Sequence, residues 1–361
     1  MSQRVTYLLH HRIKILDGFR GLAILLVIGY HYLDFFSFGW AGVDLFFVLS
    51  GFLITGKLVE SLGAAHYFRT FYIKRILRIV PLYYTILVLF FVVIPFLLPS
   101  FVSVSFQELL QEQLYYWAFA VNIYDSVHGW PQNVILIHFW SLACEMQFYL
   151  LWPFIIYFFY NQGRGLIILL VSFCLAGLLF RMSGQFFLPL NEIYRYVLLP
   201  GRIDAFSAGA LLYLFLRKDY LTAQKPKLLY ISVVTLAVIL VLIVVKQTAW
   251  HYSVDIVRKY GFTLDAIFWA SLMGYFLSVD THFMKHIFSG RLMTSLGKYS
   301  YGMYVFHWPL YIIISKQDIF NSGHRDKTWS LAAVSFAVTC VCSFASYQLL
   351  EKHFLKLKQA P

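Results

Sequence analysis

A chain of 361 residues that is 60% hydrophobic, 20% aromatic and 13% charged, with a mean hydropathy of +0.69, is not an ordinary soluble enzyme, for which about a quarter of residues carry charge. The net charge of +12 does not point to nucleic acid, because Lys and Arg cluster mainly in short loops beside apolar runs, as in membrane proteins with basic cytoplasmic loops. The four cysteines, Cys144, Cys174, Cys340 and Cys342, lie inside apolar runs without metal-ligand spacing, so buried thiols and no metal are expected.

Apolar stretches long enough to span a bilayer recur from end to end. They predict an all-α, polytopic membrane helix bundle, one domain over 1–361, with about ten spans. These are placed at 15–34, 40–59, 79–98, 138–160, 165–182, 198–216, 228–246, 261–279, 296–315 and 329–349. Arg4, Arg12 and Lys14 precede the first span, and Lys57, Arg69, Lys74, Arg75 and Arg78 fall at and after the end of the second. The stretch 99–137 holds no Lys or Arg. That contrast places both termini in the cytoplasm, with Lys218 and Lys285 on the same side; Arg258, Lys259, Arg325 and Lys327 run against it. The first span keeps its polar residues and has no small-residue cleavage site, so it is expected to remain uncleaved. A re-entrant or eleventh helix around 106–124 is the alternative count.

The first span, Leu16–His31, carries Asp17, Arg20 and His31 in otherwise lipid-compatible sequence. Ionisable residues at membrane depth usually face a protein interior or a wet cavity. Arg20 and His31 are eleven residues apart, so on a helix they share a face about 16 Å apart. They can grip two ends of a long anionic thioester; equally, the Arg can snorkel to lipid phosphate and the His bond a neighbouring helix. The second span places Asp44 near its outer end, as a functional acid or an acid favoured by the helix dipole, with Gly42, Ser50 and Gly51 allowing close helix approach. In H-Y-F-R-T-F-Y-I-K-R-I-L-R-I-V-P, Arg75 and Arg78 share a face ahead of Pro81, which is expected to open the third span. Such basic and aromatic residues suit anionic lipid or a soluble phosphate ligand.

The fourth span contains Ser141, Glu145 and Gln147. Running inward, Glu145 lies about 10 Å deep, a level His31 can reach running outward. A carboxylate and an imidazole at one level form an acid/base unit or a structural pair. Arg202 and Asp204 in the sixth span are two apart, so each is expected to meet a different span. The ninth carries Ser300, Tyr301, Tyr304 and His307 before Pro309. The seventh, eighth and tenth spans read as plain apolar helix.

In these blocks the chain resembles acyltransferase family 3 of integral membrane proteins. The resemblance rests on Arg20 and His31 as Arg-x10-His, on G-V-D-L-F-F-V-L-S-G-F-L-I-T, on the R-x-x-R at Arg75 and Arg78, on F-W-S-L-A-C-E-M-Q-F-Y, on R-I-D-A and on S-Y-G-M-Y-V-F-H-W-P. It implies transfer of an acyl group, often acetyl, from cytoplasmic acyl-CoA to a hydroxyl of a cell-envelope glycan or lipid-linked sugar. His31 would then be the catalytic base, with Glu145 a functional acid of the same site and Asp44 beside them. Arg20, Arg75 and Arg78 would hold the CoA donor, and Tyr304, His307, Arg202 and Ser141 would serve substrate or support. Tyr304, Ser300 or Gln147 are the candidate oxyanion donors. Family members often carry a further extracytoplasmic domain; without one, a stand-alone transferase of the inner membrane is expected, with room for a separate envelope-side partner enzyme. The rival readings are a transporter or flippase for an anionic or lipid-linked substrate, a Mg²⁺-dependent sugar transferase, for which the acids are too scattered, and a covalent intermediate on Cys144 or Ser141.

Overall fold

A computed structural model describes residues 14–33, 35–183, 190–217, 225–246, 249–278, 287–316 and 325–357. Arg4, Arg12, Lys218 and Lys285 lie outside these, as does most of the loop 316–327. The described residues form helices and turns without strand, confirming the all-α class. In chain order the helices are α1 (Lys14–Tyr32), α2 (Ala41–Glu60), α3 (Tyr67–Val88), α4 (Val104–Gln111), α5 (Gln113–Trp117), α6 (Val121–His128), α7 (Phe139–Phe159), α8 (Arg164–Ser183), α9 (Leu199–Arg217), α10 (Lys225–Lys246), α11 (Phe262–Ser278), α12 (Arg291–Ser315) and α13 (Arg325–Ser346), with short helical turns also at Ile94–Leu97, Tyr194–Val197 and Lys352–Leu357.

Among the described residues, eight helical segments are long and apolar enough to cross a membrane: those built on α1, α2, α3, α7, α8, α9, α10 and α13. The other two expected spans are also helices. At 17 residues, α11 is slightly short, and α12 spreads Lys298, His307 and several tyrosines along its 25 residues. On α8 and α10 most exposed side chains are apolar, among them Ile168, Leu175, Leu240 and Val244, as a lipid-facing surface requires.

One expectation is corrected and one alternative is excluded. The third helix begins at Tyr67 rather than near 79, so Arg75 and Arg78 are helical and Pro81 lies inside the helix. No breaker separates Tyr67 from Pro81, and Lys, Arg and Ile continue a helix readily; an internal proline is tolerated in membrane helices. The chain instead turns before it, at Gly63 and His66, whose φ values are 82° and 63°. Second, 106–124 is neither a span nor a continuous re-entrant helix. It breaks into α4, α5 and α6, of 8, 5 and 8 residues, each far short of the ~20 residues a crossing needs.

The chain divides into two compact units, Met1–Gly63 with Phe154–Gly184 and Pro200–Ser300, and Ala64–Pro153 with Gln185–Leu199 and Tyr301–Pro361. In the first unit, glycines set the helix spacing. A Cβ on Gly51 would overlap the Phe206 carbonyl, one on Gly209 the Val48 carbonyl, and one on Gly297 the Asp17 carbonyl. Glycine costs about 1 kcal/mol against alanine inside a helix, a cost that close backbone approach between membrane helices offsets. In the second unit, Tyr83 donates to the Tyr116 carbonyl (2.8 Å) and Tyr84 to the Trp117 carbonyl (2.9 Å), anchoring α5 to α3.

Gly51→Ala is expected to destabilise the purified protein by about 1–3 kcal/mol through overpacking, read as a lower melting temperature in detergent. An unchanged melting temperature would show that α2 and α9 are not held at glycine spacing.

Candidate functional site

Lys14–Tyr32 folds as one regular helix, so Arg20 and His31 do share a face as their spacing requires. Arg20 Nη1 lies 3.0 Å from Asp17 Oδ1, one turn earlier on the same helix. His31 Nδ1 lies 2.9 Å from the Val27 carbonyl oxygen. A carbonyl can only accept, so Nδ1 carries a proton and donates it to Val27. Beside it, the Tyr30 ring meets the His31 ring edge-on at 4.9 Å. Tyr30 also bonds His251 Nε2 (2.9 Å), whose Nδ1 meets Ser253 Oγ at 2.6 Å. Burial lowers the His251 pKa, which favours a neutral ring. Tyr30, His251 and Ser253 were not singled out from sequence, because only folding brings 251–253 to α1.

The first unit also encloses five fully buried charged residues: Asp44, Arg181, Arg202, Asp204 and Asp265. Arg202 donates to Asp44 Oδ1 and lies 4.0 Å from the centroid of the Phe262 ring. Arg181 reaches Asp204 Oδ2 at 2.8 Å, the Lys259 carbonyl at 3.3 Å, the Gly201 carbonyl and Thr263 Oγ1. Arg202 and Asp204 thus meet different helices, as expected. Asp265 accepts from Trp250 Nε1, 3.3 Å from each carboxylate oxygen. The α11 helix is therefore not the plain apolar span expected at 261–279, and Arg181 on α8 was also missed. The available signal was one ionisable residue in each apolar span. Asp44, grouped with the catalytic acids from sequence, is enclosed in an ion pair.

The second unit gathers the other predicted residues in two places. On α3, Arg75 lies over the Phe71 and Tyr149 rings at 5.6 and 5.5 Å, within electrostatic reach of Arg78 and Glu145. Glu145 Oε1 accepts the Tyr149 hydroxyl at 2.5 Å. The two arginines and the acid therefore share a region. Elsewhere, Ser141 bonds the Tyr304 hydroxyl, and both hydroxyls lie 3.1 Å from the His138 carbonyl oxygen. His307 Nδ1 meets the Tyr304 carbonyl at 2.6 Å, and the His138 and His307 rings are 5.0 Å apart. His138, not singled out from sequence, completes this cluster.

Two expected oxyanion donors are committed elsewhere. Gln147 forms a reciprocal amide pair with Asn122 (2.8 and 3.1 Å) and donates to the Phe119 carbonyl (3.1 Å), while Ser300 donates to Gly297 on its own helix (3.0 Å). In the 99–137 segment, Asp125 is 1% exposed. Burial, with the Glu112 charge second, pushes its pKa from 3.8 up to about 8. Glu112 is raised too, by burial, and Tyr116 and Tyr124 lie beside the two acids. Among the described residues, no group of three or more His, Cys, Asp or Glu is placed to hold a metal.

A family profile described as an acyltransferase domain matches residues 13–348. The chain is 29% identical to YrhL of Bacillus subtilis (strain 168), described as a candidate peptidoglycan O-acetyltransferase, over 95% of this chain and 55% of that protein. It is 29% identical to the peptidoglycan O-acetyltransferase OatA of Listeria monocytogenes, over 82% of this chain and 49% of that one. It is 28% identical to the O-acetyltransferase OatA of Staphylococcus aureus, over 83% and 51%. The chain thus spans about half the length of these relatives. No solved structure matches it.

Removing either partner of the Asp44–Arg202 pair, by Asp44→Asn or Arg202→Met, is expected to cost about 3–5 kcal/mol, with the double substitution costing clearly less than the two singles added. Melting temperatures of the four proteins check this; additive losses would show that the two side chains act separately. The raised Asp125 carboxyl binds its proton more tightly when folded. Its stabilising contribution is therefore full below the unfolded value of 3.8 and is lost as pH rises through about 8. Asp125→Asn is expected to melt above the wild type at about pH 9 and to flatten the pH dependence between these limits. A parallel curve would place Asp125 in contact with water.

Proposed function

Because the chain belongs to the membrane acyltransferase family, we propose that it moves an acyl group, acetyl by preference, from cytoplasmic acyl-CoA to a hydroxyl of a cell-envelope glycan or lipid-linked sugar. The names of its relatives support a peptidoglycan acceptor. The observation that supports the reading is that the His31 ring, bonded through Nδ1 to the Val27 carbonyl, lies on one regular helix with Arg20 eleven residues earlier.

His31 Nε2 removes the acceptor hydroxyl proton as its oxygen attacks the thioester carbonyl. The new C–O bond forms, the C–S bond breaks, and the proton passes to the departing CoA thiolate. Arg20, held by Asp17, and the Arg75 and Arg78 pair supply guanidinium forks suited to the phosphates of CoA. Glu145 is the functional acid, and its neighbours Tyr149 and Arg75 support work beside the donor. Tyr304, His307 and Ser141 support the acceptor. The Asp44–Arg202 pair acts by holding its unit together. Charge asymmetry supports an inner-membrane location with both termini cytoplasmic and 99–137 on the far side.

Membranes containing the chain, or His31→Ala at matched abundance, would receive acetyl-labelled CoA, with label followed into glycan and lipid fractions. Wild-type transfer is expected to fall by at least about 100-fold in His31→Ala, the usual scale of a general base. Arg75→Ala is expected to raise the KM for the donor more than it lowers kcat. Transfer that survives His31→Ala would remove the base from this mechanism. No transfer and no CoA release, with native envelope present, would favour transport of an anionic substrate.

A further inference from the structure

The sequence of α3 sets an electrostatic problem. Tyr67–Val88 holds Arg69, Lys74, Arg75 and Arg78 and no acid. Arg20 has Asp17 on its own helix, but the Arg75 and Arg78 pair has no such partner. The two are neighbours on one face, where like charges repel. Their counter-charges must come from elsewhere in the fold. Glu145 on α7 reaches Arg75 electrostatically. For Arg78 the acid within reach is Glu351, which lies beyond residues 13–348 that match the acyltransferase profile. The mechanism above gives Glu351 no task.

The C-terminal chain is shaped to deliver that acid. Past α13 the helix widens into one π-helical turn, Tyr347–Glu351, and continues as Lys352–Leu357; both pack against α3. Residues five apart point about 140° apart around an ordinary helix, whereas a π turn pairs residue i with i+5. The Ser346 hydroxyl accordingly donates to Glu351 Oε1 at 3.2 Å. Glu351 is buried, while Lys352 and His353 beside it are exposed. Its Oε1 lies against the α12 backbone, 3.4 Å from where a Cβ on Gly302 would stand. The preceding Tyr301 donates its hydroxyl to the Ile79 carbonyl at 2.6 Å, one residue past Arg78. Tyr301 also feels the charges of both Glu351 and Arg78, so acid, tyrosine and arginine meet at one level of α3. Arg78 is half-buried, and a guanidinium has donors enough to spend one edge on a carboxylate and keep another. We propose that Glu351 is a positioning residue for Arg78, drawing its guanidinium away from Arg75 so that the two forks present separate edges to one phosphate-bearing ligand. This rests on the donor reading of Arg75 and Arg78 and extends that site to the C-terminal turn.

The test uses the full chain purified in neutral detergent, with free CoA as the probe and calorimetric titration as the readout. Wild type, Glu351→Gln, Arg78→Met and the double variant are compared, each checked for the wild-type melting temperature. Glu351→Gln is expected to weaken CoA about tenfold, a coupling usual within one charge network, and by less than about twofold once Arg78 is already replaced. In membranes it is expected to raise the KM for acetyl-CoA by a similar factor, with kcat held within about twofold. Should Glu351→Gln melt early, Ser346→Ala frees the same carboxylate while keeping its charge, and is expected to weaken CoA in the same Arg78-dependent way. A loss that persists in full in the Arg78→Met background, or that falls on kcat instead of KM, would make Glu351 a packing residue and overturn the proposal. Wild-type affinity in Glu351→Gln, with Arg78→Met still weakened, would overturn it and spare the donor reading. CoA binding indifferent to Arg78→Met, or absent from the wild type, would overturn the donor reading and the proposal with it.

Discussion

A charge in hydrocarbon must find a partner or lose its ionisation, and the first unit is organised by that demand. Two guanidiniums and three carboxylates are buried there, and the planar forks of the arginines reach several partners at once. Arg181 bonds a carboxylate, a hydroxyl and two backbone carbonyls at once. Arg202 bonds Asp44 and lies against the Phe262 ring. Burial of this kind adds little net stability over an apolar core, but one missing partner is expensive. It ties α2, α8, α9 and α11 to one arrangement. The glycines of α2 and α9 belong to the same solution, because side chains this short can bond only if the backbones approach closely.

The imidazoles obey the same accounting on a smaller scale. His31 and His307 each spend Nδ1 on a carbonyl of the preceding turn, and His138 spends Nε2 on the Val305 carbonyl (3.3 Å). Each ring is thereby fixed in orientation through one nitrogen. For a transferase this is useful, since a histidine that must remove a hydroxyl proton has to be neutral and oriented beforehand. In the mechanism proposed above, the Val27 bond also orients the base.

The second unit separates its tasks along its own helices. Arg75, Arg78, Tyr149 and Glu145 form a charged and aromatic region. Ser141, Tyr304, His138 and His307 form a separate buried cluster of hydroxyls and imidazoles. The short helices α4 to α6 are held by aromatic hydroxyls on α3 and by the Gln147–Asn122 amide pair, so this segment keeps its shape without being long enough to cross.

The all-α membrane class and the places of the long helices followed from hydropathy, because lipid forces backbone hydrogen bonds to be made within each segment. The Arg20–His31 register followed from helix geometry, and the family from six motif blocks. Three kinds of feature did not follow. The start of α3 was hidden because polar helix at a membrane surface has no hydropathy signal. Arg181, Asp265 and His138 were passed over because a lone ionisable residue in an apolar run has no visible partner in one dimension. The commitments of Gln147 and Ser300, and the pairing of Asp44 with Arg202, depend on contacts between residues up to 158 positions apart. Composition and periodicity thus determined what kind of molecule this is and which residues could do chemistry. Only the tertiary structure decided which polar groups hold the helices together, because burial and partner distance are properties of the packed chain.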